Sequence, residues 1–214
     1  MSVAISKCTS ATAIGERRVV DNLDEIIGIV DSIQKELDIN NATEAESIAT
    51  NNRNVVDYYG YTLFHIACLK GRTDVALLVI ENGANVDEKD YNGWTLLHEA
   101  CYLGNTELFI KLLEKGAKID EKNMIGKTPL HIACSNGRTK VAKILIENGA
   151  KVDEKDNSGY TPFNEACFWR KTEVAIMLVE NVTEVNYKDN DCSTRLHKGM
   201  LQWVTALKLH DSKN

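Results

Sequence analysis

The sequence predicts an all-α solenoid, a stack of short helix pairs joined by loops, and three observations carry that prediction. The chain aligns with itself at a spacing of 33 residues: GYTLFHIAC from Gly60, GWTLLHEAC from Gly93, GKTPLHIAC from Gly126, GYTPFNEAC from Gly159 and a degraded CSTRLHKGM from Cys192. A threonine recurs where each copy's first helix should begin. Ten of the 13 glycines fall in the same register.

Each element has a physical reason. Thr62, Thr95, Thr128, Thr161 and Thr194 can accept the unpaired amide hydrogens of a helix's first turn and so read as N-caps. The two prolines, Pro129 and Pro162, follow two of these threonines and occupy the first helical position, where a missing N–H costs nothing. Gly71, Gly104 and Gly137 separate a first helix from a second, and Gly83, Gly116 and Gly149 follow the second. The second block, LLVIENGANVDEKD and its counterparts, repeats in phase with the first. Neither helix can bury its apolar stripe alone, so neighbouring copies must stack to close a core.

Before the first copy, Leu23, Ile26, Ile27, Val30, Ile33 and Leu37 follow the spacing of an amphipathic helix over 19–38, with a second helix expected at Asn41–Asn52. This segment, 19–52, is expected to cap the stack; a self-association or partner-binding helix is the alternative. Residues 1–18 lack periodicity and are expected to be disordered. Four full copies are placed at about 57–89, 90–122, 123–155 and 156–188, within 53–188, and a truncated fifth at 189–214 as a C-terminal cap.

Composition excludes several function classes. At 214 residues, 43% hydrophobic and 26% charged, the chain suits a soluble array of one or two compact units. Twenty-five Lys and Arg against 31 Asp and Glu leave a net charge of −6, which disfavours a nucleic-acid surface. No apolar run approaches the roughly 20 residues of a membrane-spanning helix, so membrane insertion is not expected. A cytoplasmic protein, also compatible with the nucleus, is the expectation; the Ser/Thr-rich start followed by Arg17 and Arg18 leaves an organelle transit peptide as the alternative.

No phosphate-cradling glycine loop, nucleophile elbow, H-E-x-x-H or kinase motif is present, and neither catalysis nor a cofactor is expected. The pairs His65/Cys68, His98/Cys101 and His131/Cys134, with Cys167, imitate a metal site. Zinc needs its ligands at about 2.0–2.3 Å, whereas stacked helices lie roughly 8–10 Å apart, so these residues read as structural. The same separation exceeds the roughly 7 Å limit for a disulfide between them. The D-E-K runs Asp87–Lys89, Asp120–Lys122 and Asp153–Lys155 read as like-charge ladders on solvated loops.

The 33-residue period, the G-x-T-P-L-H-x-A block and the E-N-G-A-x-V segment resemble ankyrin repeats over about 53–210, most faithfully in 126–155. The resemblance implies a curved stack of antiparallel helix pairs, a hairpin-like finger projecting from each copy, and a non-catalytic role in binding proteins. The sequence departs from the family at Leu63 and Leu96 for Pro, Asn164 for His, Arg170 for the inter-helix Gly and Val182 for the later Gly. In the fifth copy Cys192, Arg195, Gly199 and Trp203 replace the family Gly, Pro, Ala and Gly.

The resemblance also implies where a partner would touch: the finger tips and the end of each first helix. These are Tyr58, Tyr59, Tyr61, Leu69 and Lys70; Tyr91, Asn92, Trp94, Tyr102 and Leu103; Met124, Ile125, Lys127, Ser135 and Asn136; and Asn157, Ser158, Tyr160, Phe168 and Trp169. Nine of the chain's fourteen aromatic residues occupy these twenty positions, more than a core needs and of the type that anchors interfaces. Trp94 and Tyr160 have a structural explanation as covers for the neighbouring loop. The expected partner is one or more proteins, bound by a monomer acting as adaptor, scaffold or inhibitor. Two alternatives stand beside this reading: the recognition piece of a larger regulatory or enzymatic assembly, and a cysteine-ladder redox or metal sensor.

Overall fold

The computed structural model describes residues 18–20, 23–52 and 55–181. The expected fifth copy, with Thr194 and its substituted glycines, and the segment expected to be disordered up to residue 17 lie outside the described residues.

Five helix pairs follow in order: α1 (Leu23–Asp38) and α2 (Ala42–Asn52), α3 (Leu63–Leu69) and α4 (Thr73–Glu81), α5 (Leu96–Leu103) and α6 (Thr106–Glu114), α7 (Pro129–Ser135) and α8 (Thr139–Glu147), α9 (Pro162–Phe168) and α10 (Thr172–Asn181). The first helices pack in one row, α3 on α5 on α7 on α9, and the second helices in another, α4 on α6 on α8 on α10. At the N-terminal end α1 packs on α3 and α2 on α4, with Ile26, Val30 and Ile33 fully buried. Residues 18–20 do not join the helix. Arg18–Val19 pairs in parallel with Val55–Val56, and the Val20 amide donates to the Val56 carbonyl at 2.9 Å. Two paired residues carry too little periodicity to be read from sequence.

The core is one continuous seam, from Ile26 through Phe64, Leu97, Phe109, Leu130 and Leu145 to Leu178. No helix could bury such a stripe unaided; adjacency of the copies supplies the partner surface. Each first helix opens on an extended threonine, Thr62, Thr95, Thr128 or Thr161, with ψ between 165 and 169°. Each threonine forms a reciprocal capping box with the residue three positions on: His65, His98, His131 and Asn164. Asn164 reproduces the histidine's role, its Oδ1 accepting from the Thr161 amide at 3.0 Å and the Thr161 hydroxyl at 2.8 Å.

Arg170 adopts the left-handed backbone its position demands, at φ 54°, where the other copies place Gly71, Gly104 and Gly137. A side chain in that region costs roughly 1–2 kcal/mol. Arg170→Gly is therefore expected to raise stability by up to about 1 kcal/mol, after the greater freedom of glycine in the unfolded chain is subtracted. An unchanged or lower melting midpoint would show that the turn carries no strain.

The D-E-K ladders correct the sequence reading. Like charges do not simply line up in solvent: Lys89 Nζ meets Glu121 at 2.6 Å and Lys122 Nζ meets Glu154 at 2.7 Å. The Lys118 and Lys151 amides donate to Asp87 and Asp120 at 3.0 and 3.1 Å. Each lysine reaches the next copy's glutamate and also donates to the main-chain carbonyl of its own equivalent, Lys89 Nζ to Lys122 O at 3.2 Å and Lys122 Nζ to Lys155 O at 3.0 Å. Hydrogen bonds from the lysines hold the Glu121 and Glu154 carboxyls below the usual range. Such exposed pairs contribute little individually; their effect is to fix loop spacing.

Candidate functional site

The fingers are held by short, repeated bonding. Asp57, Asp90, Asn123 and Asp156 each turn a side-chain oxygen back onto two amides of their own finger, as in Asp90 Oδ1 to the Asn92 and Trp94 amides at 2.9 and 2.7 Å. Successive fingers are then tied by main-chain bonds, Tyr91 N–H to Tyr59 O, Met124 N–H to Asn92 O and Asn157 N–H to Ile125 O, at 2.9–3.1 Å. The finger tips are thus a rigid ladder.

On this ladder and the adjoining helix ends stand Tyr58, Tyr59, Leu69, Tyr91, Tyr102, Met124, Ile125, Phe168 and Trp169, all exposed, Tyr58 to 71%. Only three other large apolar side chains among the described residues are comparably exposed: Leu23, Ile39 and Ile110. The remaining sequence-selected residues differ. Tyr61, Trp94 and Leu103 are half-buried against the core, and Tyr160 is half-buried. Leu103 therefore belongs to packing more than to an exposed surface, because its helix turn points it inward beside Tyr102. Trp94 meets Tyr102 edge-on at 6.0 Å and Tyr160 meets Phe168 at 6.1 Å, so these finger aromatics brace the helix-end aromatics of their own copy.

Between the third and fourth fingers lies a cleft of about 370 Å³, lined by Ile125, Tyr160, Phe168 and Trp169 and floored by an ion pair. Lys127 Nζ sits 2.8 Å from Glu165 Oε1, and Trp169 Nε1–H donates to Glu165 Oε2 at 3.1 Å. Neither Glu165 nor its counterpart Glu99 was selected from sequence. The signal was present: the four copies read HIAC, HEAC, HIAC and NEAC, placing Glu99 and Glu165 where Ile66 and Ile132 stand.

The histidines and cysteines are committed to structure. His98 Nδ1 accepts from the Thr95 amide at 3.1 Å, which leaves the proton on Nε2 to donate to the Lys127 carbonyl at 3.0 Å. His131 bridges Thr128 and the Tyr160 carbonyl in the same way. Burial pushes the His65 and His98 rings down to about 4. Burial also raises the Cys68, Cys101 and Cys134 thiols strongly and Cys167 up to about 12, the opposite of a reactive thiolate's environment. Among the described residues no three His, Cys, Asp or Glu side chains converge as a metal site requires. Among the same residues no helix is long and apolar enough to cross a membrane.

A two-row helical stack with rigid exposed fingers defines a repeat scaffold whose surface is its working part. A family model for ankyrin repeats (3 copies) matches residues 33–123 and again 122–189, and the chain belongs to the ankyrin-repeat family. Ankyrin repeats are generally protein–protein interaction modules, and proteins built from them are typically non-enzymatic. No curated protein matches the chain.

Proposed function

We propose that the chain is a non-enzymatic interaction module that presents a preformed aromatic surface, running along its finger tips and first-helix ends, to a protein partner. One observation carries the reading: of twelve exposed large apolar side chains among the described residues, nine lie on that single run of positions. A monomeric stack explains no such concentration on its own, and Tyr and Trp are favoured interface anchors. The ladder of finger bonds supports the same conclusion, since a surface already ordered loses little entropy on binding. In this reading α1 and α2 close one end of the stack, and the chain acts as a monomeric adaptor, scaffold or inhibitor. Among the described residues the four cysteines are buried free thiols, which suits a reducing compartment such as the cytosol or nucleus.

The test is affinity capture from native cytosol with the wild type and with a Tyr59→Ala, Tyr102→Ala, Trp169→Ala variant whose helicity is verified. A protein retained by the wild type and lost by the folded variant is the expected result, with binding weakened at least about tenfold. Equal recovery by both proteins would remove the aromatic surface from the interaction.

A further inference from the structure

Glu99 and Glu165 occupy the fourth position of α5 and α9, two repeat periods apart, and both are nearly sealed from solvent, at 6% and 5% exposure. Their surroundings differ in one decisive respect. Glu165 holds the Lys127 ammonium, 38 residues earlier, and the Trp169 indole N–H, four residues later. The same offsets from Glu99 lead to Tyr61 and Leu103, neither of which carries a positive charge. Glu99 donates its amide to the Thr95 carbonyl at the start of α5, but its carboxylate makes no hydrogen bond and no ion pair.

The groups whose fields reach Glu99 make this worse. Asp90 on its own finger is a second carboxylate, already committed to the finger amides, while Tyr61 and Cys68 from the preceding copy are neutral. A buried carboxylate with no partner costs several kcal/mol. Burial and Asp90 accordingly raise the Glu99 carboxyl to about 7. Its carboxylate oxygens, although without a partner, are not wholly closed off, so the charged end keeps some access from outside. The half-buried Tyr61 ring lies within reach of the Glu99 charge, and the exposed Tyr102 follows Glu99 by three residues on the same helix, α5; aromatic faces favour an approaching cation.

We propose that Glu99 is the receptor for one Lys or Arg side chain of the protein partner, which takes the place that Lys127 fills beside Glu165. This rests on the interaction surface proposed above and specifies the partner's chemistry: a basic side chain set among apolar residues. Its stem lies along Tyr61 and Tyr102 and its charged head reaches the carboxylate, supplying the hydrogen-bonded cation that the Glu99 side chain lacks.

The test uses the full chain and phage-displayed random dodecapeptides selected on the wild type. The selected peptides are expected to share one Lys or Arg. Its replacement by norleucine should weaken binding to the wild type at least about tenfold, and to Glu99→Gln and Tyr61→Lys by less than about twofold. Tyr61→Lys, which imports the internal cation, should also melt higher than the matched Tyr61→Gln. Peptides without a shared basic residue, an equal norleucine penalty in all three proteins, or no selected peptide at all would overturn the proposal, as would Tyr61→Lys melting no higher than Tyr61→Gln. The two readings fail separately. Peptides that lack a basic residue yet are lost by the Tyr59, Tyr102, Trp169 variant would leave the aromatic surface standing without the Glu99 receptor. Peptides that depend on Glu99 but ignore that variant would remove the aromatic surface, and with it the Tyr102 stem contact, and leave the Glu99 carboxylate standing as the receptor.

Discussion

His98→Ala is expected to destabilise the array by about 3 kcal/mol, and His98→Asn by roughly half as much. The ring makes three contacts at once, accepting from the Thr95 amide, meeting the Thr95 hydroxyl at 2.8 Å and donating to the Lys127 carbonyl of the next finger. Alanine leaves these groups buried without partners and cuts one of the second copy's ties to the third, beside the Met124–Asn92 and Lys89–Glu121 contacts. Asparagine keeps the cap, as Asn164 does in the fourth copy, and loses only the bond to the next finger. Urea titrations of the two variants measure the difference; equal losses would mean that the cap contributes nothing. The same geometry fixes an acid response. His65 and His98 titrate near 4 when folded and near 6.5 when unfolded, so their stabilisation is present above pH 6.5 and is lost as pH falls towards 4. Glu99, raised to about 7 from 4.5, acts in the opposite sense, its contribution complete below 4.5 and lost as pH rises to 7. Two rings outweigh one carboxyl between these limits. The wild type should therefore melt lower at pH 5 than at pH 6.5, and the His65→Asn, His98→Asn double variant should lose most of that difference. An undiminished acid loss in the double variant would assign it to other groups.

Most of the fold was legible because its determinants recur in one column of the repeat. Thr95 is a cap for the same reason as Thr128, and Gly93 turns as Gly126 does, so in-phase alignment exposes them. The contacts that set spacing and charge join different columns of adjacent copies. Lys89 reaches Glu121 and Glu165 reaches Lys127, offsets on either side of the period, and an alignment that compares like with like passes over them. That is why the D-E-K runs read as like-charge ladders on solvated loops and why Glu99 was not singled out among four nearly identical motifs. The exposed aromatic positions were reachable through the family pattern. Which of them face solvent was not, because bracing of Tyr102 by Trp94 and of Phe168 by Tyr160 depends on how a finger folds back over its own helix.

Gly93→Ala is expected to cost about 3 kcal/mol, against about 1 for Gly116→Ala, although both glycines lie at positive φ, 75 and 84°. The difference isolates what holds one finger on the next. A Cβ at Gly93 would lie 2.9 Å from the Met124 amide nitrogen and 3.1 Å from Asn123 Cα, whereas at Gly116 it meets open space. Main chain cannot swing aside as a flexible side chain can. The second and third fingers must separate, and the first bond to suffer is the one the Met124 amide donates to the Asn92 carbonyl at 2.9 Å. In a stack where each copy touches only its neighbours, weakening one interface uncouples the two sides, so unfolding of Gly93→Ala should broaden or divide into two steps. Hydrogen exchange should show the Met124 amide losing protection while amides inside α9 keep theirs at low denaturant. Equal losses for the two glycine variants would mean that the finger contact is incidental. The expected inequality has a functional consequence, because Tyr91 and Met124 ride on the two fingers that the substitution drives apart. Spacing of the exposed aromatics is then set by backbone contact between copies, and if they form the proposed interaction surface, a variant that still folds but holds those fingers apart should bind a partner less well without losing one surface side chain.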